Sequence, residues 1–126
     1  MVHDNYIKEG NNVYGGLYFD YGAAFITARN NVIDFNYQVL LWLLVSGDEH
    51  THLVVDRTYT NMGNGFWDTK ATVTNTTVVQ GQAWPAAATA IIAAAGLEPA
   101  YADLLSRKPA TLTVTVPAGN ICKAHR

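Results

Sequence analysis

The sequence predicts a parallel β-solenoid of about three coils, closed by a short Ala-rich helical cap. Three observations point there. Polar corner sequences recur along the first two-thirds of the chain, at offsets comparable to the length of one solenoid coil. Short apolar or β-branched runs separate them. The chain then changes character at Trp84-Pro85, where an alanine-rich segment begins.

The corner sequences are Ala28-Arg29-Asn30-Asn31-Val32-Ile33, Val55-Asp56-Arg57-Thr58-Tyr59-Thr60 and Thr74-Asn75-Thr76-Thr77-Val78-Val79. Each passes from a small or apolar residue through polar positions back to apolar ones. A repeat of this length suits a solenoid, because a single coil cannot bury its inward side until another stacks on it. Asn suits the corners, since it tolerates left-handed backbone and bonds locally. On periodicity alone a β-sandwich fits as well.

The elements follow in order. Residues 1–12 are polar and predicted structureless. Gly15-Gly16 marks a turn before Leu17-Tyr18-Phe19-Asp20. Residues 25–35 read as two short strands hinged at Asn30-Asn31. Residues 39–45, VLLWLLV, have strand length and place Trp42 in the core. A polar loop over residues 46–52 precedes Leu53-Val54-Val55, and Gly63-Asn64-Gly65 reads as a turn before Trp67. A further strand region covers residues 71–79. Coils are thus expected over 11–82 and the cap over 84–105, within a single domain of 1–126.

The helix carries both end signals. Pro85 suits the first turn, where an N–H is not needed, and Gly96 suits a left-handed stop. Ala88, Ile91, Ile92 and Ala95 share one face by their spacing. A second short helix follows Pro99, with Tyr101, Leu104 and Leu105 on one face. Thr111-Leu112-Thr113-Val114-Thr115-Val116 alternates as a half-buried strand, within a terminal strand region 110–117. A helix over the last coil would protect its open strand edges.

Composition narrows the function. The chain has 126 residues, 49% of them hydrophobic and only 14% charged, against about a quarter charged in ordinary domains. A net charge of −2 and a pI near 6.0 speak against a nucleic-acid partner, which needs a basic face. No apolar run nears the roughly 18 residues of a membrane span. The N-terminus lacks the basic and apolar regions of a secretion signal. Cys122 is the lone cysteine, so neither an internal disulfide nor a cysteine metal cluster is available.

The run WPxxAxAIIxxAGLEPxYxDL, from Trp84 to Leu104, together with Asn75-Thr76-Thr77-Val78-Val79, resembles the C-terminal end of bacterial right-handed parallel β-helix repeat proteins. These are secreted, carbohydrate-associated and pectin-lyase-like. Gly16-Leu17-Tyr18-Phe19-Asp20, Thr27-Ala28-Arg29-Asn30-Asn31-Val32 and Tyr59-Thr60-Asn61 resemble upstream coils of the same group. The resemblance spans about residues 11 to 105. It implies a right-handed parallel β-helix, an extracellular setting and a polysaccharide partner, with no cofactor. Family members run to several hundred residues, so the chain is expected to be a C-terminal fragment that lacks most of any active site. Self-association through an uncapped N-terminal coil edge is the matching expectation. In the family an acidic residue and then small polar residues follow the Tyr-Phe-Asp stretch, where this chain has Tyr21, so a site that used that acid is expected to be altered here.

No catalytic centre is fixed by these residues. Polysaccharide hydrolases or lyases of this fold use acids and cations in a groove, and glycosidases need two carboxylates about 5–10 Å apart. Asp34 and Asp56 lie near comparable coil positions, with Arg57 beside the second, and so are candidates for a carboxylate pair or an Arg-carboxylate clamp on sugar. Asp20 is a third candidate acid. Trp67 is the expected exposed platform for a sugar ring, with Tyr18 and Tyr21 as further aromatics. Gly47-Asp48-Glu49-His50-Thr51-His52 collects two acids and two histidines, but their spacing matches no metal motif, and the loop is read as polar surface. The alternative function is a non-catalytic scaffold that packs on further coils or on a partner chain.

Overall fold

The computed structural model describes residues 1–8, 14–35, 41–67 and 70–96. The chain divides into two compact units, Met1–Gly96 and Leu97–Arg126. The second helix and the alternating strand expected beyond residue 97 lie outside the described residues.

Within the first unit the fold is mainly β. Eleven strands among the described residues form three parallel sheets, followed by one short helix. The strands are β1 (Val2–His3), β2 (Tyr6–Lys8), β3 (Leu17–Phe19), β4 (Ala24–Arg29), β5 (Val32–Asp34), β6 (Leu43–Val45), β7 (Thr51–Asp56), β8 (Tyr59–Thr60), β9 (Gly65–Phe66), β10 (Ala71–Thr74) and β11 (Thr77–Val78). Sheet A has the order β1-β4-β7-β10, sheet B β11-β8-β5-β2 and sheet C β3-β6-β9. Successive strands therefore visit A, B and C in turn, and every pairing is parallel.

The register corrects two sequence expectations. Ala28 faces Val55, as the repeat predicts. Val55 faces Val73, not Thr74, so the next copy begins one position earlier than the corner sequences suggest. A fourth copy lies upstream. Val2 faces Ala28 and Tyr6 faces Val32, so residues 2–8 form strands where composition alone predicts no structure. These strands are short and polar, and pairing with β4 and β5 supplies the order that local composition does not.

Two residues join each sheet A strand to the next sheet B strand: Asp4-Asn5, Asn30-Asn31, Arg57-Thr58 and Asn75-Thr76. The first of each pair is left-handed, with φ of 55°, 52°, 50° and 52°. The second stacks on its counterparts. Asn31 and Thr58 are fully buried there. Asn31 Oδ1 accepts from the Asn5 backbone N–H (3.2 Å) and from Asn5 Nδ2 (3.0 Å), and Asn31 Nδ2 donates to Val2 O (3.1 Å). The hinge predicted at Asn30-Asn31 is one step of this stack.

Alternating residues build the core. Leu17, Phe19, Leu43 and Val45 point inward from sheet C, Ala28, Leu53 and Val55 from sheet A, and Ile33 from sheet B. Each large aliphatic side chain buried this way contributes about 1.5–3 kcal/mol. Trp42 is buried among them, as its apolar run predicts.

The helix α1 (Ala86–Ala94) follows Pro85 and ends before Gly96, whose φ is 139°. Ala88 is buried and Ile91, Ile92 and Ala95 are half-buried, while its other residues are exposed, so the predicted stripe is the packed face. Its principal neighbour is β5, an interior strand of sheet B, rather than the edge strand β11 that a cap would cover. Val32 of β5 is fully buried yet outside the main core cluster, in keeping with small alanine side chains letting the helix lie close on that sheet's outer face.

Candidate functional site

The acids singled out in the sequence are separated by the fold. Asp34 ends β5 in sheet B, opposite Lys8. Its carboxylate accepts from the Tyr6 hydroxyl (2.7 Å) and from Asn61 Nδ2 (2.9 Å). Asp56 ends β7 in sheet A, opposite Arg29 and Thr74. The expected equivalence of Asp34 and Asp56 is thus wrong, because Asp34 follows a left-handed corner and Asp56 precedes one. Asp56 accepts from Thr74 Oγ1 (2.8 Å), Asn75 Nδ2 (2.8 Å) and Arg57 Nε (2.9 Å). The Asn75 amide, then the Thr74 hydroxyl, hold its carboxyl below the usual aspartate range, with Arg57 adding to the effect. These contacts tie adjacent strands at a corner. The Asp56–Arg57 pair is a local brace there.

The loop after β6 is equally committed. Lys70 Nζ meets Asp48 Oδ1 at 2.8 Å. Both His50 ring nitrogens face backbone carbonyls, Nδ1 that of Ala23 (3.2 Å) and Nε2 that of Ser46 (2.7 Å). His52 stacks on Phe25 with ring centroids 4.6 Å apart. No group of three or more His, Cys, Asp or Glu among the described residues could hold a metal ion. Trp67 is 39% exposed but packs edge-on against Trp42, centroids 5.4 Å apart. It is only in part the platform the sequence suggests.

The outer face of sheet C is where side chains with binding chemistry gather. Leu17 and Phe19 turn into the core, so Tyr18 between them turns out. By the same alternation Leu44 turns out from β6 and Phe66 from β9. The register places these three in one row, Tyr18 beside Leu44 and Leu44 beside Phe66. Tyr14 stacks flat on Tyr18, with centroids 5.1 Å apart and planes 9° apart. Tyr14 is 55% exposed, Phe66 57% and Tyr18 38%. The row repeats at the strand spacing, about 4.8 Å.

Asp20 lies just beyond β3, two residues after Tyr18 and to one side of this row. Tyr21 N donates to Asp20 Oδ1 (2.8 Å), Ser46 Oγ donates to the same oxygen (3.3 Å), and Ser46 Oγ lies 3.0 Å from the Tyr18 hydroxyl. The Tyr21 backbone N–H, then the Tyr18 hydroxyl, hold the Asp20 carboxyl below its usual range. Asp20, Ser46 and His50 match a nucleophilic triad in residue type, not in geometry. His50 faces the backbone oxygen of Ser46, while the serine hydroxyl is held by Asp20 and Tyr18. A base must reach the nucleophile's own hydroxyl to activate it.

Asn64 borders sheet C at its other end, immediately before β9. There Phe35, Met62, Asn61, Asn64 and Gln80 line a groove of about 470 Å³, with backbone from Gly63 and Gly81. Sequence reasoning placed Tyr18 among the aromatics but missed Phe66. The stretch of chain from Tyr18 to Leu44 is longer than that from Leu44 to Phe66, so no constant repeat aligns all three.

Comparison of the chain with known protein families, characterised proteins and solved structures gives no match.

Proposed function

We propose that the chain forms a right-handed parallel β-helix of the pectin-lyase-like kind, and that the outer face of sheet C binds polysaccharide without cleaving it. The observation that carries this reading is the register-matched row Tyr18–Leu44–Phe66, with Tyr14 stacked on its end. Aromatic rings offer flat apolar area with little entropy to lose, and they suit the apolar faces of sugar rings. Tyr18 and Phe66 stand two strand spacings apart with apolar Leu44 between them, which suits an extended, repeating ligand. The fixed A, B, C order of parallel strands supports the β-helix, and an extracellular setting belongs with it. A binding role fits better than hydrolysis, because Asp20, Asp34 and Asp56 serve three different sheets and each is already held by neighbours.

Affinity electrophoresis through a panel of soluble polysaccharides tests the reading. The wild type should be retarded by at least one glycan. Phe66→Ala and Tyr18→Ala should lose that retardation while keeping the wild-type thermal midpoint within a few degrees, since both side chains stand outside the core. A wild type that runs freely through every gel, or variants retarded as strongly as the wild type, would sink it.

A second reading, a scaffold that pairs with another chain, draws on β1 and β3 standing at the ends of their sheets among the described residues. Edge strands template association. Light scattering that shows concentration-dependent assembly, insensitive to Phe66→Ala, would favour it.

A further inference from the structure

We infer that the glycan bound by the sheet C face is neutral rather than a polyuronate. The inference rests on the carbohydrate reading above and concerns its substrate class. Four cations lie among the described residues: Lys8, Arg29, Arg57 and Lys70. Lys8 is in sheet B, opposite Asp34. Arg29 ends β4 in sheet A, opposite Asp56, and Arg57 is braced on Asp56 at the same corner. Lys70 is paired with Asp48. None stands on β3, β6 or β9. The stretches 9–13, 36–40 and 68–69 contain no Lys or Arg either, and the other four cations of the chain, Arg107, Lys108, Lys123 and Arg126, belong to the second unit, Leu97–Arg126.

Among the described residues, the charges beside the aromatic row are Asp20 and, on the turn bonded to its own, Asp48, which is paired with Lys70. The acceptor bonds of Asp20 keep its carboxylate ionised at neutral pH. A uronate carboxylate laid on Tyr18 would come within a Debye length of it, about 10 Å at 0.1 M salt, and be repelled. A bridging cation could relieve that repulsion, but no cluster of three or more ligating side chains is present among the described residues to hold one. At the other end of the sheet, the groove lined by Phe35, Met62, Asn61, Asn64 and Gln80 has no ionisable side chain in its lining among the described residues. Amides over an apolar floor offer hydrogen bonds to hydroxyls and nothing that offsets an anion's lost hydration.

The test uses matched ligands, an oligogalactan and an oligogalacturonate of equal length and linkage, titrated against the full chain by calorimetry at low salt, with and without added Ca²⁺. The neutral oligomer should bind, and the uronate at least about tenfold more weakly. Raising the salt should strengthen uronate binding, and Asp20→Asn should narrow the gap between the two ligands. Uronate binding equal to or tighter than neutral binding, or a gap that neither salt nor Asp20→Asn moves, overturns the inference and leaves the carbohydrate reading standing. If neither these nor other neutral and acidic glycans bind, the carbohydrate reading fails and this inference with it.

Discussion

The corner between sheets A and B and the outer face of sheet C show opposite kinds of order. From Val2 to Tyr6, Ala28 to Val32, Val55 to Tyr59 and Val73 to Thr77 the chain takes the same number of steps every time. Around sheet C the spacing varies. The path from Val32 to Leu43 is nearly twice as long as the path between their register partners, Tyr59 and Gly65. The corner is uniform because its left-handed residue and buried stack must superpose from strand to strand. The connections to sheet C can change length, since they need only deliver the next strand in register. Loops held by a rigid scaffold are where binding residues collect, and the exposed aromatics stand on the variable side.

The largest effect is expected at the corner. Asn31→Ala removes two acceptor bonds to Asn5 and the donor bond to Val2 O at a site with no solvent access. Backbone groups left unpaired make this cost about 2–4 kcal/mol. Urea unfolding followed by circular dichroism should show the midpoint fall with an unchanged slope. A loss below about 0.5 kcal/mol would mean the stack does not hold the corner, and the contrast between the two regions would collapse.

A smaller effect is expected where the chain enters sheet C. A Cβ on Gly16 would stand 2.5 Å from Ile33 Cγ2 and 3.0 Å from Trp42 O. Ile33 is fully buried, and that Trp42 oxygen accepts from Leu17 N, so neither yields freely. Gly16→Ala should therefore destabilise by about 1–3 kcal/mol through overpacking, measured in the same unfolding experiment. A neutral result would show that this entry adjusts more readily than the corner and would widen the difference between the regions.

The same contrast explains what the sequence reveals. Asn30-Asn31 is legible because asparagine is at home in left-handed backbone. Arg57 occupies the same conformation without that signature, and only its register with Asn30 identifies it. Thr74, Thr76 and Thr77 are alike enough that sequence comparison sets the third copy one position out of register. Gly65 has the look of a turn residue but lies in β9, where a Cβ would run into the Trp42 and Trp67 rings. The helix stripe at Ala88, Ile91, Ile92 and Ala95 is legible from spacing alone. The strand it covers is not, because no local pattern records a long-range neighbour. For the site, Tyr18 is visible as an aromatic between two core positions. Its alignment with Phe66 depends on a shortened connection, and the expected pairing of Asp34 with Asp56 fails for want of the corner as a reference point.

The smallest effect, and one of opposite sign, belongs to the next step of the stack. Thr58 occupies the position of Asn31, is equally buried, and its Oγ1 has no hydrogen-bond partner. A hydroxyl loses its hydration on burial and here gains nothing in exchange. Thr58→Val replaces it with a methyl of nearly the same shape, so no cavity forms and the backbone bonds from Tyr59 N to Asn31 O and from Thr77 N to Thr58 O can persist. Stability should rise by up to about 1 kcal/mol, read from the urea midpoint against Asn31→Ala in parallel. Opposite signs at two equivalent positions would show that the corner's uniformity lies in its backbone, with the side-chain stack contributing only where it is an amide. A loss at Thr58→Val matching that at Asn31→Ala would instead mean that the hydroxyl is bonded in solution and that the ladder is continuous through every strand pair.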